Sequence, residues 1–185
     1  MKKEQIRSLI KAHKALLSAV ERENASARVW DALESTVAFI MADNILMYNA
    51  LPDELETRHF INKWQTKKKL FLPRVNGVNL DILPCDGRTM HQGAYNINEP
   101  DGTDTVDVSN IDLIIVPAVA YDRSGNRVGR GKGFYDRLLA EASAAKIGVG
   151  FDFQLIDDSI DAEPHDIRVD MVITERRTIK SKHYK

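Results

Sequence analysis

Glycine and cation alternate in Val128-Gly129-Arg130-Gly131-Lys132-Gly133-Phe134-Tyr135-Asp136-Arg137. Glycine leaves backbone N–H groups free to turn toward a ligand. A helix predicted from about Gly133 to Ala145 adds unpaired N–H donors and a partial positive charge at its N-terminus. Arg130 and Lys132 add full charges. Together these parts suit the grip of a polyphosphate. The spacing is neither that of the P-loop nor that of the dinucleotide fingerprint, and a solvated surface turn can carry the same residues. Asp136 narrows the choice. It falls about one turn beyond the cations, where a carboxylate can hold Mg²⁺ beside phosphate oxygens. It can also simply complement the helix dipole, for about 0.3–1 kcal/mol. A second carboxylate source is Glu163-Pro164-His165-Asp166-Ile167-Arg168-Val169-Asp170, in which Asp166 and Asp170 are equal candidates.

Lys3, Arg7 and Lys11 form another basic cluster on one face of the first predicted helix. Like charges four apart cost about 0.2–0.5 kcal/mol per pair, and cations in the first turn oppose the dipole. A bound anion would explain them. Acidic partners elsewhere in the fold would explain them equally, and on the residues alone that reading is preferred. Tyr95, Phe134 and Tyr135 are aromatic residues that can stack on a flat ring or pack in the core. Cys85 is the single cysteine. It closes the apolar-edged stretch 80–85 and reads as a small packed residue, not a nucleophile.

These groups need a scaffold. Ile6, Leu9, Ile10, His13, Leu16, Leu17 and Val20 fall at helical spacing, with His13 on that apolar face. Asn24-Ala25-Ser26 reads as a break before a second helix, 29–41, that turns Val29, Leu33, Val37 and Ile40 inward. A helix over 57–66 buries Phe60, Ile61 and Trp64. Strands are expected at 44–48, 69–73, 78–83, 111–116, 147–151 and 169–173. The near-continuous apolar run 111–116 suggests burial on both faces, as in a parallel sheet. Residues 84–110 read mostly as loop, and the tail after Thr174 as solvated. Strands alternating with helices imply an α/β fold, a three-layer α/β/α sandwich with a mainly parallel central sheet, in a single domain over 1–185.

The formal net charge of −1 provides no global field to draw nucleic acid or an anionic membrane. The N-terminus lacks the continuous apolar core of a signal peptide, and no run approaches a membrane span. A cytoplasmic monomer is expected.

The chain resembles the 5-formyltetrahydrofolate cyclo-ligases, also called methenyltetrahydrofolate synthetases. The resemblance rests chiefly on Pro117-Ala118-Val119-Ala120-Tyr121-Asp122 and on Gly125 to Arg137. Lys3 with Arg7, Asp53-Glu54-Leu55-Glu56-Thr57, Asn98-Glu99-Pro100, Gly150 to Gln154, and His165-Asp166 ahead of Val169-Asp170 support it. It implies ATP contacts at Lys3, Arg7, Arg127, Gly129, Arg130, Gly131, Lys132, Gly133 and Tyr135. It implies folate contacts at Leu51, Glu56, Arg130, Gly131, Lys132, Gly133 and Phe134, and Mg²⁺ at Asp136 and Asp166. Arg130 and Lys132 would be the catalytic cations. Glu56 would accept from pterin N–H groups or act as a base near N10. The implied reaction converts 5-formyltetrahydrofolate and ATP into 5,10-methenyltetrahydrofolate, ADP and phosphate, without a covalent enzyme intermediate. Ala118 stands where the family often has Gly, and Tyr121 and Phe134 exchange Tyr and Phe relative to common patterns. Related folds also host sugar-phosphate isomerases and acyl-CoA transferases. A folate or nucleotide binder without turnover is a further alternative, and a nucleic-acid binder a more distant one.

Overall fold

A computed structural model describes residues 1–181. Helices α1 (Lys3–Ala15), α2 (Ala19–Glu34) and α3 (Val37–Met41) precede strand β1 (Asn44–Leu46). Helix α4 (Arg58–Trp64) leads into β2 (Lys69–Asn76) and β3 (Asn79–Pro84). A hairpin of β4 (Met90–Gln92) and β5 (Asn98–Pro100) follows, then β6 (Leu113–Pro117) and a second hairpin of β7 (Ala120–Tyr121) and β8 (Arg127–Val128). Helix α5 (Phe134–Glu141), β9 (Ala145–Val149), β10 (Met171–Ile173) and β11 (Thr178–Lys180) complete the fold. The central sheet has the order β11-β10-β9-β6-β1-β2-β3. Its five inner strands are parallel, while β3 and β11 pair antiparallel at the edges.

The alternation of the strands builds two cores. Ile45, Leu113, Ile115, Ile147 and Val149 face Val29, Trp30, Leu33 and Phe60 of α2 and α4. Leu46, Ile114 and Val116 face Leu138 and Leu139 of α5. A period of two with apolar residues in both phases requires cover on both faces, which yields the three layers. A third cluster packs Ile6 and Ile10 of α1 on Ala120, Val128 and Ile160. That contact fixes the first helix against the β7–β8 hairpin.

Several local expectations fail for identifiable reasons. Residues 24–26 lie inside α2, because the chain is punctuated earlier by a capping box, Ser18 with Glu21. Ser26 stays helical by bonding back to Arg22 O (2.6 Å). The break falls instead at Thr36, whose hydroxyl caps α3. This re-phases the short helix, burying Phe39 and leaving Val37 and Ile40 exposed. The buried face of α1 is narrower than its sequence pattern. Leu9 and Leu16 are exposed, and His13 lies outside the core, stacked on Phe153 at 5.4 Å. Residues 84–110 contain the β4–β5 hairpin, and the polar tail contributes β11. Helix α5 ends at Glu141 so that Ala145 can pair with Leu113. Cys85 is buried, and burial pushes its thiol pKa up, consistent with packing. Among the described residues, no helix is long and apolar enough to cross a membrane.

Candidate functional site

A cavity of about 790 Å³ opens where α1, the turn at 51–54, the β4–β5 hairpin and the glycine-rich loop converge. Lys3, Arg7, Arg127, Gly129, Arg130, Gly131, Lys132, Gly133, Phe134, Tyr135, Asp136 and Asp166 all line it, as does Leu51. Residues more than 160 positions apart in the chain thus share one wall. Gly131 and Gly133 have φ of +100° and +68°, which side-chain-bearing residues rarely adopt. Gly133 is the residue from which α5 starts, so the helix N-terminus opens onto the loop. Arg7 Nε donates to Gly129 O (3.0 Å) and ties α1 to the loop. Arg137 Nη2 donates to Lys132 O (2.8 Å) and ties the loop to α5.

Three of the five cations already have carboxylate partners. Lys3 Nζ lies 2.6 Å from Asp166 Oδ2. Arg127 Nη2 lies 2.5 Å from Asp136 Oδ1, and this arginine side chain is only 4 % exposed. Arg130 Nη2 reaches both Asp53 (2.8 Å) and Glu54 (3.0 Å). Arg7 and Lys132 form no ion pair among the described residues. Lys132 Nζ sits 5.7 Å from the Tyr95 ring centroid. Burial pushes the Asp166 pKa up, but the Lys3 hydrogen bond and the Glu163 N–H outweigh it and hold the carboxyl below its ordinary range. Burial likewise opposes the charge on Arg130, yet Glu54 and Asp53 hold its pKa above the usual value. Arg127 Nε is buried without a partner, an unmet donor at the edge of the cavity.

A hard dication needs oxygen ligands, and the cavity supplies them. Asp136 and Asp166 both face it, and Glu163, His165 and Asp166 bring ligand atoms within 4.8 Å of one another. The donor set fits Mg²⁺, which takes few protein carboxylates and completes its shell with phosphate and water. Asp170 is not among the residues that line the cavity, and its Oδ2 accepts Lys146 N–H (2.8 Å) just before β10.

A model of the 5-formyltetrahydrofolate cyclo-ligase family matches residues 1–175. The chain belongs to the 5-formyltetrahydrofolate cyclo-ligase family. It is a ligase by that membership. The 5-formyltetrahydrofolate cyclo-ligase of Haemophilus influenzae is 28% identical over 85% of this chain and 89% of its own length. That of Escherichia coli K12 is 31% identical over 73% of this chain and 79% of its own. The NMR structure of Aquifex aeolicus 5,10-methenyltetrahydrofolate synthetase superimposes with a TM-score of 0.89 at 29% identity, covering 99% of this chain and 94% of that one.

Glu56, expected among the folate contacts of this cyclo-ligase family member, borders an adjoining cavity that shares Asn49, Leu51, Asn96 and Ile97 with the main one. Glu56 does not line the main cavity. Its carboxylate accepts the N–H groups of Arg58 (2.7 Å) and His59 (3.3 Å) at the start of α4. Glu54, two residues earlier, faces the cavity instead. The reason is the turn 51–54, closed by Glu54 N–H to Leu51 O (3.0 Å) and by Leu51 N–H to Glu54 Oε2 (3.0 Å). Pro52 at the second position of a four-residue turn was the available signal. Tyr48, Asn49 and Glu99 also line the cavity. Tyr48 and Asn49 follow β1 and Glu99 lies in β5, and of these the sequence marked only Glu99, through the resemblance at Asn98-Glu99-Pro100.

Proposed function

We propose that this chain, acting as one domain over residues 1–185, converts 5-formyltetrahydrofolate and Mg²⁺·ATP into 5,10-methenyltetrahydrofolate, ADP and phosphate. The observation that carries the reading is one cavity wall bearing five cations, a helix N-terminus and two carboxylates, Asp136 and Asp166. Lys3, Arg7 and Arg127 bind the polyphosphate, and the amides of residues 129–133 cradle it. Tyr135 packs beside the nucleotide. Asp136 and Asp166 hold Mg²⁺, which when bound neutralises phosphate charge. Leu51 and Phe134 position the folate, with the 130–133 loop shared between the two substrates.

The formyl group is an amide, and its oxygen is a poor leaving group. Positioned against the γ-phosphate, that oxygen attacks phosphorus and the bond to ADP breaks. The product is an N5-iminium phosphate. N10 then attacks the activated carbon, loses its proton, and the ring closes as phosphate departs with the C–O bonding pair. Lys132 and Arg130 stabilise charge on the transferring phosphoryl group, and the protein's work is positioning and electrostatics. The direct test mixes protein, ATP, Mg²⁺ and 5-formyltetrahydrofolate and follows the methenyl chromophore in the near ultraviolet. ATP-dependent growth of that band is expected. Its absence, with ATP unconsumed, refutes the reading.

A further inference from the structure

The cavity has a second wall, built from β2, β3 and the β4–β5 hairpin, and it contributes no cation. Pro73, Val75, Leu80 and Ile97 make it apolar. Set into it is one carboxylate, Glu99, which is 4 % exposed. Its Oε1 accepts Val75 N–H at 3.0 Å. Its Oε2 has no comparable partner. The nitrogen that comes nearest is His91 Nε2 at 3.6 Å, beyond hydrogen-bond range. A carboxylate offers about four acceptor sites, and buried ones are normally filled.

The other acidic groups of the cavity differ. Glu54 spends one oxygen on Arg130 and the other on Leu51 N–H. Asp136 and Asp166 each hold a cation and a backbone N–H. Glu99 is also held in place. A Cβ at Gly93 would collide with its Oε2, so the hairpin leaves room for this side chain. The wall therefore presents an apolar surface with one fixed, under-used acceptor. Its complement is a flat ring with neighbouring N–H donors on one edge.

We infer that Glu99 is the carboxylate that reads the donor edge of the pterin, the N3–H and the 2-amino group. This rests on the reading of the cavity as the formylfolate site. It assigns the pterin to the sheet wall, and leaves Glu54 to fix Arg130. A carboxylate facing two adjacent N–H donors makes a paired, charge-assisted contact. A site built around such a contact rejects an analogue lacking the donor, because the acceptor is then left buried and unpaired.

The test measures binding by calorimetry without ATP, then steady-state kinetics. Native protein is expected to bind the 2-deamino analogue of 5-formyltetrahydrofolate roughly 10–100-fold more weakly than the parent compound. Glu99→Gln should weaken the parent by a similar factor and lose little more on the analogue. Its KM for ATP should stay within about twofold. Equal binding of the two compounds to native protein overturns the assignment and needs no variant. So does a Glu99→Gln protein whose KM for ATP rises as much as that for folate. Native protein that binds neither compound refutes the formylfolate reading itself, and the inference falls with it.

Discussion

The two walls of the cavity handle charge in opposite ways. On the wall formed by α1, β8 and the glycine-rich loop, Lys3, Arg127 and Arg130 already sit against Asp166, Asp136, Asp53 and Glu54. Without ligand this wall is close to balanced, and its ion pairs fasten α1, the turn at 51–54 and the segment before β10 around the loop. On the proposed reading, binding exchanges partners there. Phosphate oxygens take the cations while Asp136 and Asp166 turn to the metal. On the opposite wall, among the described residues, the only basic side chain that Glu99 faces is the His91 imidazole, at 3.6 Å. Glu99 waits in an apolar sheet surface with acceptor capacity to spare. A balanced wall can hold its shape before the ligand arrives, whereas an unbalanced one selects a ligand that completes it.

The sharpest way to break this comparison is to remove the charge that has no internal partner. Among the described residues, the exposed Lys132 ammonium meets only the Tyr95 ring. Lys132→Ala should therefore lower turnover by about 10²–10³ while changing stability by no more than about 0.5 kcal/mol. A rate loss below threefold contradicts its role. Asp136→Asn should show the mixed behaviour of a paired group. The Mg²⁺ concentration for half-maximal turnover should rise about tenfold. Because Arg127 is nearly buried and its Nε already lacks a partner, stability should fall by about 1–3 kcal/mol. That is a Tm loss of about 2–4 °C per kcal/mol for a chain of this size. An unchanged Mg²⁺ titration removes Asp136 from the metal site. An unchanged Tm shows that its ion pair holds nothing together.

The same division explains what could be read in advance. The cationic wall is largely contiguous in sequence, 127–136, so residue types and spacing singled it out, although a solvated surface turn could carry the same residues. The two basic residues of α1 were ambiguous by charge alone. Only packing of Ile6 and Ile10 onto β7–β8 brings Lys3 and Arg7 to the loop. The layered, mainly parallel sheet was implied by apolar runs in alternation with helices, and the strand order and antiparallel edges were not. The polar strand β11 pairs because β10 leaves an open edge, which no property of residues 178–180 announces. The apolar wall was illegible for a similar reason. Residues 73, 75, 80 and 99 lie on three strands and residue 97 between β4 and β5, and each looks locally like ordinary strand or loop.

The smallest expected effect belongs to Glu56, the residue placed by sequence among the folate contacts. Burial pushes its pKa up from 4.5, but hydrogen bonds from the His59 side chain and from the His59 and Arg58 N–H groups outweigh that and lower it. It behaves as an anion at the N-terminus of α4, a position worth about 0.3–1 kcal/mol. A lowered folded-state pKa means the stabilisation is present above the ordinary value and lost as pH falls through the folded one. Glu56→Gln keeps an acceptor for the N–H groups and loses the charge. At pH 7 its Tm should drop by about 1–3 °C, and the gap to native protein should close as pH falls through the lowered pKa of Glu56. Turnover and both KM values should stay within about twofold, since the carboxylate is held by the Arg58 and His59 N–H groups. A tenfold rise in the folate KM instead would bring Glu56 into the substrate site. The turn at 51–54 would then have to open on binding to let it in.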